Sequence, residues 1–171
     1  SWVHVNVADP ARGGRGTGRV ALRRAIALAL DADGLLKVVY AGQAIPDNQI
    51  VPPGVGGHDP SLPMKALYDP SSAKAVLDRF GYRLDGSGHR MTPDGKPLTL
   101  VLSQRAGAVS REVEPLWKKN MEAVGLRIDF RLAPFQEIIK ALEKVQYQMS
   151  YGGFCVSPSG YHELVQLPDQ H

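Results

Sequence analysis

Cysteine is almost missing from this sequence: Cys155 is the only one in 171 residues. An internal disulfide is therefore excluded, and the redox compartment stays open. Long hydrophobic runs are also missing. The longest, Ala25–Leu30, is far too short to cross a bilayer. Neither sign of charge dominates, with 20 Lys and Arg against 17 Asp and Glu for a net +3. That balance excludes a polyelectrolyte, and nucleic-acid binding would require the positive charge to cluster. No basic-then-apolar leader opens the sequence, so any targeting signal has been removed or lies outside it. What is present is 43% apolar and 22% charged residues, the composition of one folded domain with a real core.

Positive charge clusters once, in ARGGRGTGRVALRR, which holds Arg12, Arg15, Arg19, Arg23 and Arg24. With one copy and no interleaved aromatics, this reads as a glycine-rich loop (about 9–18) running into a helix with a solvated arginine face, not an RNA contact. GRGTG (14–18) lacks the G-K-[ST] ending of a phosphate loop and the G-x-G-x-x-G spacing.

Periodicity places the elements. WVHVNV (2–7) has strand composition, and Leu22, Ile26 and Ala29 share one face of a helix over about 19–30. Asp31 is positioned to cap a second helix through about Val39. Residues 41–63 carry many Pro and Gly and read as a long ordered loop. In YDPSSAKAVLDRFG, Asp69 is the expected N-cap and Pro70 the first helical residue. Ala73, Val76, Leu77 and Phe80 form the buried stripe, and Gly81 the stop.

After the TPDGKP turn, Leu98, Leu100 and Leu102 alternate as in a strand. A helix over about 110–124 follows, with Val113, Leu116, Trp117, Met121 and Val124 inward and Gly125 at its end. Pro115 near its start predicts a distorted first turn or a later beginning. Leu126, Ile128, Phe130 and Leu132 then alternate in a second strand. Pro134 opens a helix with Phe135, Ile138, Ile139 and Leu142 on one face, and Tyr147–Tyr151 is the third strand.

This order is β-α-β-α-β, so the fold class is α/β: an open sheet with a parallel core and right-handed crossovers. Ligands of such sheets bind beyond the carboxyl ends of the strands, here near Ser103–Ala108, Ala133–Pro134 and Gly152–Ser157. Gly152 and Gly153 would let the backbone pass close to a ligand, with Phe154 as an apolar wall.

Cys155 stands in this stretch, GGFCVSPSGYHEL (152–164). A nucleophilic role would require an oriented base, and His162 is the nearest histidine in sequence. A thiol-dependent enzyme using Cys155 and His162 is thus one reading; a small apolar side chain after a strand is the other. Cys155, His162 and Glu163 have no metal-ligand spacing, and no metal or other cofactor is expected. Glu112 and Glu114 fall on different helix faces and read as surface charge.

Several stretches together resemble the solute-binding proteins of ABC importers, in the dipeptide, oligopeptide and nickel group. ALRRAIALALD (21–31) is similar to that family's VRQAL-x-x-AID helix. GQAIPDNQIVPPGVGGHDPSLP resembles its GxxxPAxxxIPPG…xDPxL loop, and YDPSSAKAVLDRFGY its YDPEKAKxLLxEAGY element. DGKPLTLVL, VGLRIDFRL and YQMSYGGF follow in the family's order, about 150 residues in one collinear run.

The resemblance implies one lobe, the C-terminal one and incomplete, of a two-lobed periplasmic binding protein that closes on its ligand. Its implied partners are a small solute or peptide, the missing N-terminal lobe and a membrane permease; no nucleic acid and no catalysis are implied, and the location is periplasmic. A regulatory module reusing such a lobe is the other implied possibility.

In oligopeptide-binding relatives the third strand is followed by Gly-aromatic-Cys-x-Asp, whose Asp meets the ligand's α-amino group. The matching residues here are Gly153, Phe154, Cys155, Val156 and Ser157, so a hydroxyl replaces the carboxylate. Some relatives also carry an Arg where Tyr151 stands. By resemblance, Tyr151, Gly153, Phe154, Cys155 and Ser157 would form one wall of the site, with Ser103 and Arg105 along a neighbouring edge.

Overall fold

The computed structural model describes residues 2–6, 8–9, 16–41, 43, 53–56, 58–61 and 68–152. The expected wall residues Gly153, Phe154, Cys155 and Ser157 lie outside them, as do His162, Glu163 and much of both predicted loops.

In chain order the elements are β1 (Trp2–Val5), α1 (Thr17–Ala29), α2 (Ala32–Tyr40), α3 (Pro70–Arg79), β2 (Thr99–Arg105), α4 (Ala108–Glu122), β3 (Arg127–Ala133), α5 (Phe135–Glu143) and β4 (Met149–Gly152). The sheet order is β1-β4-β2-β3. β2 pairs in parallel with both β3 and β4, as the β-α-β-α-β pattern requires. β1 closes the sheet antiparallel to β4, a pairing that its short strand pattern does not disclose.

Local chemistry explains the helix boundaries. Asp31 accepts from the Gly34 N–H at 2.9 Å and Asp69 from the Ser72 N–H at 2.9 Å, which satisfies an orphan donor at each N-terminus. Past α3, Gly81 takes φ +83°, a left-handed conformation that stops the helix where expected.

α4 begins at Ala108, two residues before the expected start, because Ser110 completes a cap. Its Oγ accepts from the Gly107 N–H at 3.0 Å and donates to the Gly107 carbonyl at 2.8 Å. Pro115 therefore sits in the helix interior and neither delays nor ends it. The carbonyl it leaves without a donor belongs to Arg111, an exposed residue whose carbonyl water can reach.

Side-chain alternation divides the sheet into two unlike faces. Leu100 and Leu102, Ile128 and Phe130, Met149 and Tyr151 point to one side and join a core with Leu22, Ile26, Ala73 and Leu77 from α1 and α3, and Val113, Trp117 and Met121 from α4. The other side carries Val101 and Ser103 beside Asp129 and Arg131, with Ser150 on β4. It is covered in part by α5 through Ile138, Ala141 and Leu142. β3 and β4 flank β2 on opposite sides, and α4 and α5 lie on opposite faces, as two crossovers of the same hand must.

Two predicted core residues differ. Leu132 is 49% exposed and Phe135 is 55% exposed. Both stand where β3 ends and α5 begins, beyond the cover of either helix layer.

A hairpin-like segment, Leu84–Arg90 and Met91–Pro97, links α3 to β2. Arg90 is its anchor. Only 3% exposed, it bonds the Val124 carbonyl through Nε at 2.7 Å, and Asp78 Oδ1 at 2.6 Å and the Tyr82 carbonyl through Nη1. Its own N–H reaches the Gly125 carbonyl at 2.7 Å. Gly125 has φ +81°, and a Cβ there would meet the Gly88 carbonyl at 3.2 Å and the Arg90 side chain at 3.3 Å. This is a close backbone approach that only glycine permits without strain.

Candidate ligand-binding crevice

β2 leads to α4 on one face, while its neighbour β3 leads to α5 on the other. Where adjacent parallel strands send their connections to opposite faces, the chain parts and leaves a crevice at their carboxyl ends. The register sets those ends level: Arg105 pairs with Ala133, and the β2–β4 register, continued two residues, brings Gly152 beside Arg105.

The rim has a definite chemistry. Arg105 is exposed at the end of β2, and Arg111 is exposed on α4 with Nε 3.4 Å from the Gly107 carbonyl. Val109 at the start of α4 is 46% exposed; with Leu132 and Phe135 it supplies three apolar side chains to the same end of the sheet. A rim of exposed apolar groups and arginines suits a ligand with apolar side chains and hydrogen-bond acceptors.

Of the residues expected at the site, the structure brings Arg105 to the rim. Ser103 lies two residues down the strand, buried on the α5 side. Tyr151 is half-buried and packs against the core cluster on the opposite side of the sheet. The two therefore stand on opposite faces of the sheet. Val109, Leu132 and Phe135 were missed as rim residues. The available signal was that each falls within four residues of a strand's carboxyl end, where periodicity no longer reports burial.

Glu114, read as surface charge, accepts a hydrogen bond from the buried Gln104 side chain at 2.8 Å, just below the rim. Among the described residues no three His, Cys, Asp or Glu side chains are grouped to hold a metal ion. Among them, too, no helix is long and apolar enough to cross a membrane.

The strongest electrostatic perturbation is remote from the crevice. Asp85 is held down to about 2 by hydrogen bonds from the Ser87 hydroxyl, then the His89 and Ser87 N–H groups, with Arg127 adding a favourable charge. This cluster ties the segment after α3 to the first residue of β3.

The open α/β sheet thus has level carboxyl ends and an exposed rim of apolar and cationic side chains. Solved structures share the fold. NikA from Brucella suis in complex with Fe(III)-EDTA matches with a TM-score of 0.78 at 22% identity, over 95% of this chain and 32% of that one. The oligopeptide-binding protein AppA from Bacillus subtilis, in complex with a nonapeptide, matches with a TM-score of 0.79 at 16% identity, over 91% of this chain and 31% of that one.

The chain belongs to the bacterial extracellular solute-binding proteins, family 5, whose middle-region model matches residues 12–166. Among its relatives, di/tripeptide-binding protein 2 of Pseudomonas aeruginosa (strain UCBPP-PA14) is 30% identical over 130 residues. The dipeptide-binding protein of Escherichia coli (strain K12) is 23% identical over 129 residues. Each alignment covers 75% of this chain but only 22% and 23% of the respective relative. The chain thus spans under a quarter of the length of the relatives it matches.

Proposed function

We propose that the chain is part of one lobe of a periplasmic solute-binding protein that binds a peptide-like solute between two lobes and delivers it to an ABC permease. The family match over residues 12–166 carries this reading. In such a mechanism the ligand favours a closed arrangement of the lobes, and the permease recognises that arrangement. No bond of the solute is made or broken. Arg105 would face the solute from the rim, with Phe135, Leu132 and Val109 beside it. Phe154, Cys155 and Ser157 would extend the wall beyond β4, with Cys155 lining the site and performing no chemistry.

Ser157 decides the class of solute. A carboxylate meeting an ammonium is a charge-assisted bond, roughly twice as strong as a neutral one. With a hydroxyl in its place, a free peptide amine loses its counter-charge. The solute is therefore peptide-like but uncharged at this end. Calorimetry on the full-length protein with matched free and N-acetylated di- and tripeptides checks this. The acetylated peptides are expected to bind at least as tightly, and Ser157→Asp to reverse the preference. A strong preference for the free amine in the unaltered protein would overturn it; binding of neither series would overturn the peptide reading itself.

A further inference from the structure

Beneath α5 the sheet carries a row of three polar side chains. Register sets Ser150 of β4 beside Ser103 of β2, and Ser103 beside Arg131 of β3, all on one face. Ile138, Ala141 and Leu142 of α5 complete a cavity of about 10 Å³ around them. That is about one probe sphere, room for a single water and too little for an organic solute.

One atom in this cavity is left without a partner. Ser150 is 1% exposed, and its Oγ makes no hydrogen bond among the described residues. Although they are register neighbours, the two serine hydroxyls therefore do not bond each other. Ser103 is 6% exposed, so protein rather than bulk solvent surrounds it as well. A buried hydroxyl with no partner bears the whole cost of its desolvation, which is why few remain so in folded proteins.

The charges at the cavity favour a neutral occupant. Its lining holds one cation, Arg131, and one acid, Glu137, both exposed. An ion of either sign would be attracted by one and repelled by the other. Water carries no charge, and it both donates and accepts. A route in also exists: a cleft of about 350 Å³ shares Ser103, Arg131 and Tyr147 with the cavity.

We propose that this cavity is a binding site for one internal water molecule, which bridges Ser150 Oγ and Ser103 Oγ and ties β4 to β2 under α5. The link falls where the ladder is shortest. β4 pairs with β2 through two residue pairs, Leu102–Met149 and Ser103–Ser150, whereas β2 and β3 share seven. It thereby steadies the strand whose carboxyl end lies level with Arg105. The site is separate from the inter-lobe crevice and does not depend on the peptide reading.

A high-resolution crystal structure of the full-length protein tests this directly. A solvent peak is expected within about 3.2 Å of both serine oxygens. A cavity without density, or a Ser150 hydroxyl bonded to protein alone, would overturn the assignment. Stability supplies a test of sign. Were Ser150 Oγ truly unpaired, Ser150→Ala would relieve it and raise the urea midpoint; with the water in place the midpoint should fall. Ser103→Ala should lower it too, and the double variant should lose less than the two losses added, because both hydroxyls hold the same molecule. A midpoint that Ser150→Ala raises or leaves unchanged, or losses that simply add, would overturn the bridge.

Discussion

Trp117→Ala is expected to destabilise the protein by about 3–5 kcal/mol. Trp117 lies mid-way along α4, is 1% exposed, and packs within the cluster that joins α1, α3, α4 and the inner face of the sheet. Truncation removes a large apolar side chain and leaves a cavity that the rigid sheet cannot collapse to fill. Among the described residues its indole Nε1 has no hydrogen-bond partner, so the contribution assigned to it is packing. Trp117→Phe should accordingly cost no more than about 1.5 kcal/mol. Urea denaturation checks both, with the alanine midpoint falling sharply and the slope preserved. Equal losses for alanine and phenylalanine would show that the indole N–H has a partner and that the packing account is wrong.

Arg90→Ala is expected to cost about 2–4 kcal/mol, for a different reason. The guanidinium satisfies two backbone carbonyls, those of Val124 and Tyr82, and draws the segment after α3 onto the end of α4. Without it both carbonyls stay inside with no donor. The ion pair itself contributes little: Asp78 is 65% exposed, and Asp78→Asn should cost at most about 1 kcal/mol. Arg90→Lys should not rescue, since one compact ammonium cannot reproduce separate Nε and Nη1 bonds. Thermal melts that leave the lysine variant unchanged, or make Asp78→Asn as costly as Arg90→Ala, would refute this division.

These two residues mark what was legible and what was not. Trp117 sits on a clear helical stripe with Val113 and Met121, and burial follows from spacing. Asp31, Asp69 and Gly81 announced helix ends through side-chain chemistry local to each, and Leu98, Leu100 and Leu102 announced a strand. Arg90 gave no such signal. Its partners lie 8, 12 and 34 residues away, and only the folded chain brings them together.

The parallel pairing followed from helix-length connections between strands. The insertion of β4 between β1 and β2 did not, because alternation states which side chains share a face, not which strands are neighbours. Register had the same consequence at the candidate site. Ser103 and Tyr151 both stand near strand ends, but in β2 and β4 they belong to opposite faces. Among the described residues expected at the site, Arg105 reaches the rim, and Leu132 and Phe135 are exposed there because the sheet outruns its helical cover.

The central claim is that the carboxyl ends of β2, β3 and β4 face the solute. Hydrogen exchange of the full-length protein, with and without the peptide-like solute it binds most tightly, tests this most directly. The account predicts slowed exchange in Arg105–Val109 and across Ala133–Phe135, with little change at Leu98 and Leu126 on the far edge of the sheet. Protection confined to that far edge, with the carboxyl ends unaltered, would contradict it.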